Sequence, residues 1–176
     1  VELTRNIAER FNGIYGPTFK VPEFYTNKNS AKICSLTEPT KKMSKSDNKN
    51  SYISILDPKD TIIKKFKSAV TDSGNEIVSA PGKDGINNLL CVYSAVTEKS
   101  VKDCEKAFAG KGYGEFKLAV GEAVAALFEP IREKHALLLS DPAQLERIMR
   151  DGAQKASAFS DRMIKKVTKK LGLLNI

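Results

Sequence analysis

Lys42 and Lys45 stand three residues apart in the run Pro39-Thr40-Lys41-Lys42-Met43-Ser44-Lys45-Ser46-Asp47, with small hydroxyl residues between and after them. Two ammonium groups at that spacing on a turn can close on a polyphosphate from one side. Ser44 and Ser46 can hydrogen-bond phosphate oxygens or the backbone of the loop itself. The same run also fits a lysine-rich surface turn with no ligand, so the flanking segments must decide between the two.

Just upstream lies Ile33-Cys34-Ser35-Leu36, a short apolar segment that predicts a buried strand over residues 32–37. A loop at the C-terminal end of a strand is where open parallel α/β sheets place ligands. Before it, Leu3, Ile7, Ala8 and Phe11 predict a helix over residues 4–12 with Gly13 as its C-cap. Pro17 and Pro22 make residues 14–32 a loop, with at most a short strand near residues 19–21. These opening residues are too few to bury a sheet alone.

From Asp57 onward the pattern is helical. Asp57-Pro58 predicts an N-cap followed by a proline at the first helical position, with Ile62, Ile63, Phe66 and Val70 inward and Lys64, Lys65 and Lys67 outward. Residues 74–85 predict a loop, and Ile86, Leu89, Leu90, Tyr93 and Val96 the next helix. Ser100 caps a short helix, the glycines between 110 and 114 make a turn, and a long helix starts near Glu115 with Pro130 inside it. Ser140-Asp141-Pro142 restarts the chain as a last helix carrying Leu145, Ile148, Met149, Phe159, Ile164, Val167 and Leu171. The fold class is mainly α: an α/β remnant followed by a helical bundle.

Bulk properties set the bounds. The chain has 176 residues, 41% of them hydrophobic, and a net charge of +8 that invites a polyanionic partner. No apolar run is long enough to span a membrane, so a membrane partner is not expected. Cys34, Cys91 and Cys104 are scattered without metal-ligand spacing, which favours reduced core residues and an intracellular setting.

Downstream of the lysine loop stand Ser51-Tyr52-Ile53-Ser54-Ile55-Leu56-Asp57, Lys67-Ser68-Ala69-Val70-Thr71-Asp72-Ser73, Asn88-Leu89-Leu90 and Gly110-Lys111-Gly112-Tyr113-Gly114. Together with Lys42-Met43-Ser44-Lys45-Ser46, which matches the KMSKS signature of class I aminoacyl-tRNA synthetases, they resemble the C-terminal half of bacterial-type tryptophanyl-tRNA synthetases. The resemblance covers essentially the whole chain. It implies that residues 1–57 are the C-terminal remnant of a Rossmann-like catalytic domain. Residues 58–176 would be the helical anticodon-binding domain, with a final helix that folds back toward the catalytic one.

What the resemblance implies about chemistry is specific. Tryptophan attacks the α-phosphorus of ATP, pyrophosphate leaves, and the adenylate is transferred to tRNA(Trp). Lys42 and Lys45 would hold the leaving pyrophosphate, with Mg²⁺ arriving on ATP and no protein metal ligand. Ile33 and Met43 would lie beside adenine, and Ser44 and Ser46 beside phosphate, although an isoleucine on a buried strand needs no ligand to explain it. The family also implies a cytoplasmic homodimer. The N-terminal nucleotide motif and the tryptophan pocket are not in this sequence, and the one histidine, His135, falls on a predicted helix. The expected identity is therefore a fragment, inactive alone. A non-catalytic RNA-binding helical module and tyrosyl-tRNA synthetase are the alternatives.

On the last helix, Arg162, Lys165, Lys166, Lys169 and Lys170 fall on one stripe. Contact with a tRNA backbone would stabilise so many like charges. A solvated amphipathic helix with cations near its C-terminus fits the spacing as well.

Overall fold

The computed structural model describes residues 1–25 and 32–174. Among them are α1 (Glu2–Tyr15), α2 (Lys59–Lys67), α3 (Asp84–Thr97), α4 (Val101–Ala107), α5 (Tyr113–Ser140) and α6 (Pro142–Leu171), and no strand. None of these helices is long and apolar enough to cross a membrane. The chain divides into two compact units, Thr26–Ala136 and Val1–Tyr25 with Leu137–Ile176.

The larger unit holds the hydrophobic core. Ile62 and Phe66 of α2, Ile86, Leu89 and Leu90 of α3, Cys104 of α4, and Phe116 and Val120 of α5 are all at most 1% exposed. Tyr93, Phe108 and Phe116 pack edge to face, with ring centroids 4.8–6.0 Å apart. Close helix approach depends on Gly121 of α5, where a Cβ would stand 3.0 Å from the Ile63 Cα. Ser100 caps α4 as expected, accepting from the Asp103 amide.

Three local expectations change. First, Asp57 does not cap α2: its carboxylate takes the Ser54 amide and the Lys65 ammonium instead. Second, Lys65 is buried and Val70 is 48% exposed, the reverse of the outward and inward assignment. Lys65 lies three residues after Ile62 and four before Ala69, so the helix repeat puts it on the core face. Third, segment 32–37 is not a strand. Its single bridge is antiparallel, from Cys34 to Lys42 within the loop that follows. No other strand lies among the described residues, so side chains and loop backbone satisfy this segment instead.

In the smaller unit, α1 runs through Gly13 to Tyr15 and ends at Gly16, whose φ of 76° requires the left-handed region. Phe11 packs on Tyr15 and Phe19 at 4.7 and 4.9 Å. The Asn12 side chain ties down the following loop, accepting from the Thr18 and Phe19 amides and donating to the Phe19 carbonyl. Residues 19–21 form no strand. Asp141 caps α6, accepting from the Gln144 amide, with Pro142 in the first turn, as the sequence indicates. The apolar face of α6 stays open: Met149 is 65% and Phe159 73% exposed.

Candidate functional site, an exposed lysine loop

The loop from Thr37 to Asn50 projects from a fixed stem. Leu36 is 1% exposed, and its amide donates to the Ser51 carbonyl while its own carbonyl accepts from the Val70 amide. These bonds hold the two feet of the loop together and tie them to the segment after α2. Inside the loop, the Ser35 amide donates to Lys41 and the Met43 amide to Ile33, both through carbonyl oxygens at 2.9–3.0 Å. Ser51 is 2% exposed and closes the far foot, with its amide and hydroxyl both donating to the Asn48 carbonyl. The stem is rigid by hydrogen bonding and the tip is exposed.

On that tip Lys42, Lys45 and Ser46 face solvent, while Met43 and Ser44 are half-buried. The Ser44 hydroxyl accepts from the Ser46 amide at 3.2 Å, so it shapes the turn that carries Lys45. Neither Lys42 nor Lys45 pairs with a carboxylate among the described residues. Lys41 does: its ammonium lies 2.9 Å from Glu38, which raises its pKa through the hydrogen bond and the opposite charge. The loop thus leaves Lys42 and Lys45 open to a ligand, with Lys41 already matched. Ile33 and Met43 are partly buried and pack against the core cluster, so both have a packing role without any ligand.

Two supports of this loop are not legible in the sequence as site residues. Asn88 of α3 is 6% exposed and bonds the Cys34 backbone at both its amide and its carbonyl, at 2.8 and 2.9 Å. Lys65 bonds the Asp57 carboxylate at 2.6 Å and the Tyr52 carbonyl at 3.0 Å, with its ammonium 5.1 Å from the Tyr52 ring centre. A buried amide and a buried lysine must find partners, and that necessity is the only signal the sequence carries for either.

Elsewhere in the larger unit a polar knot joins Asp72, Lys83 and Tyr113. The Tyr113 hydroxyl donates to the Asp72 carboxylate at 2.8 Å and lies 3.1 Å from the Lys83 ammonium. The Tyr113 hydrogen bond holds the Asp72 pKa below its usual value, and burial pushes the Tyr113 pKa up. Phe116 is fully buried and offers no open stacking face, while Tyr113 is half-buried. Beside the knot, a cavity of about 540 Å³ opens between residues 75–78 and 105–111, lined by Phe108 and Lys106. Among the described residues no cluster of three or more His, Cys, Asp or Glu side chains could hold a metal ion.

The basic stripe on α6 is exposed along its length. Its members are not equivalent. The Lys170 ammonium donates to the carbonyls of Tyr15 and Gly16 at 2.6 and 3.2 Å, closing the C-terminal end of α1. Arg162 folds back on its own helix, with Nε donating to the Ala158 carbonyl and the guanidinium 5.3 Å from the Phe159 ring centre. Lys165, Lys166 and Lys169 remain directed at solvent.

Comparison with known proteins agrees with this loop-bearing helical architecture. The family described as tRNA synthetases class I (W and Y) matches residues 1–129. The tryptophan–tRNA ligase of Clostridium tetani is 45% identical over 99% of this chain and 52% of its own length. That of Wolinella succinogenes is 46% identical, over 99% and 53%. The chain therefore spans about half the length of these curated relatives. Among solved structures, tryptophanyl-tRNA synthetase from Mycoplasma pneumoniae superposes with a TM-score of 0.87 at 30% identity, covering 98% of this chain and 53% of that one. The Campylobacter jejuni enzyme, complexed with ADP and tryptophan, superposes at 0.64 with 31% identity over the same shares. The chain belongs to the class I tRNA synthetases of the tryptophan and tyrosine family.

Proposed function

We propose that this chain serves a tryptophan–tRNA ligase as the part that carries the pyrophosphate-binding loop and the tRNA-binding helices. The carrying observation is the loop itself. Lys42 and Lys45, with no carboxylate partner among the described residues, stand on an exposed tip held by a hydrogen-bonded stem. In adenylate formation the tryptophan carboxylate attacks the α-phosphorus of ATP, and negative charge builds on the departing pyrophosphate. Cations that engage that charge most strongly in the transition state lower the barrier. Lys42 and Lys45 are assigned that task. Ser44 shapes the turn, Ser46 and the loop amides offer hydrogen bonds to phosphate oxygens, and Ile33 with Met43 forms the apolar edge beside adenine.

Mg²⁺ is assigned to the nucleotide, and no step is routed through metal ligands of the protein. By role the chain divides at residue 57: residues 1–57 present the loop and residues 58–176 face tRNA(Trp). Tryptophan itself is assigned no residue of this chain. Three curated relatives that are tryptophan–tRNA ligases, at 45–46% identity, support tryptophan over tyrosine as the amino acid. Work on tRNA(Trp) is assigned to the cytoplasm, by a homodimer of the complete ligase.

The test is Lys45→Ala in the complete ligase. Tryptophan-dependent ATP–pyrophosphate exchange should fall about 10²–10³-fold in kcat, the usual cost of one oxyanion-stabilising group. The KM for tryptophan should stay nearly unchanged. An equal loss in both would contradict the leaving-group role.

A further inference from the structure

We propose that Asn88 is a positioning residue for the phosphate loop, acting through the main chain of Cys34 on the placement of Lys42 and Lys45. The proposal rests on the adenylation reading above for its consequence, though not for its geometry.

Asn88 sits on α3 among Ile86, Leu89 and Leu90, all at most 1% exposed, and is itself 6% exposed. A primary amide at such a position costs free energy unless every polar atom is engaged. Here Oδ1 accepts from the Cys34 amide at 2.8 Å and Nδ2 donates to the Cys34 carbonyl at 2.9 Å. That is the pair of bonds that an opposing residue in an antiparallel ladder exchanges with its partner. A side chain therefore stands where a neighbouring strand would, on a segment that has no other strand beside it among the described residues.

From Cys34 the connection to the lysines is short. Cys34 forms the bridge with Lys42, and the bonds from Ser35 to Lys41 and from Met43 to Ile33 lie on either side of it. The backbone that carries Lys42 is thus paired on one side of Cys34, and Asn88 holds Cys34 itself. Freeing Asn88 releases the strip to which the loop is hydrogen-bonded, without touching any residue of the tip.

The neighbouring residue supplies a built-in comparison. Asn87, which is half-buried, makes the same two-bond pairing with Ala80, at 3.2 and 2.9 Å, rather than with Cys34. If these asparagines served stability alone, the two would behave alike. The positioning role separates them.

The experiment is a pair of double-mutant cycles in the complete ligase, read by ATP–pyrophosphate exchange well below the melting temperature. Asn88→Leu is expected to lower kcat about tenfold or more and to leave the tryptophan KM within about twofold. Added to Lys45→Ala, it should cost clearly less than it costs alone, because one of the two lysines it positions is already gone. Asn87→Leu should leave the Lys45→Ala effect at full size. Fully multiplicative loss for Asn88→Leu with Lys45→Ala would overturn the proposal, as would equal behaviour of the two asparagines.

Should Asn88→Leu fail to fold, Asn88→Asp keeps the side-chain size and one acceptor while losing the donor to Cys34, and the same cycle applies. If Lys45→Ala leaves exchange unchanged, the adenylation reading has failed, and amide hydrogen exchange then judges the positioning on its own. Roughly tenfold faster exchange at the Cys34 and Met43 amides of Asn88→Asp supports it. Unchanged protection at both overturns it.

Discussion

At the scale of single residues, the chemistry-bearing types are legible in the sequence and their supports are not. Lys42, Lys45 and Ser46 are exposed and Ser44 half-buried on the loop where the sequence puts a turn. Lys65 misleads because its type outweighs its position. A lysine on the core side of an amphipathic helix must carry its ammonium to a partner, and Asp57 with the Tyr52 carbonyl supplies one. Removing one member of a buried pair strands the other. Lys65→Met should therefore lower stability by about 3 kcal/mol, measured by urea denaturation of the full chain. Adding Asp57→Asn should recover part of that loss, and additive losses would argue that the pair is not coupled.

At the scale of elements, some caps read well, others such as Asp57 and Gly13 do not, and backbone partners are not legible. Ser100 caps the helix it is expected to cap, Asp141 caps α6 where the sequence shows a restart, and α5 continues through Pro130. The apolar run of segment 32–37 suggests a strand, yet a run that short specifies burial rather than pairing. Its partners are loop backbone, Ser51, Val70 and the Asn88 side chain. Entry into α3 carries a tight constraint that no periodicity reveals. A Cβ on Gly85 would lie 2.2 Å from the Val70 carbonyl oxygen, the residue whose amide holds Leu36. Gly85→Ala should cost at least about 1–3 kcal/mol by overpacking, seen as a lower thermal midpoint; an unchanged midpoint would mean that the 70–71 backbone gives way freely. On α6, Lys166→Glu with Lys169→Glu should weaken tRNA(Trp) binding. The slope of log K against log salt should shrink by about one for each phosphate no longer neutralised. Unaltered binding and slope would assign the stripe to solvent.

At the scale of the whole molecule, burial is unevenly shared. The core cluster lies within residues 36–125, whereas Leu3 and Ile7 on α1 and Met149 and Phe159 on α6 are all more than half exposed. Composition alone could not show this, because the apolar residues of α6 recur at a helical spacing that fits a packed face equally well. Local opening free energy follows buried apolar contact. Hydrogen exchange on the full chain should therefore find α3 and the first half of α5 strongly protected and α1 with α6 weakly so; equal protection would refute the imbalance. The Asn88–Cys34 pairing has a temporal corollary. The two residues lie 54 positions apart, and the asparagine is the later one to be made. At about 5–20 residues per second, a ribosome finishes the loop at Asn50 roughly 2–8 seconds before its anchor exists. Through that interval the nascent lysine loop has only the bonds to its own backbone, Ser51 and Val70, and the hold on Cys34 is added when the third helix has emerged.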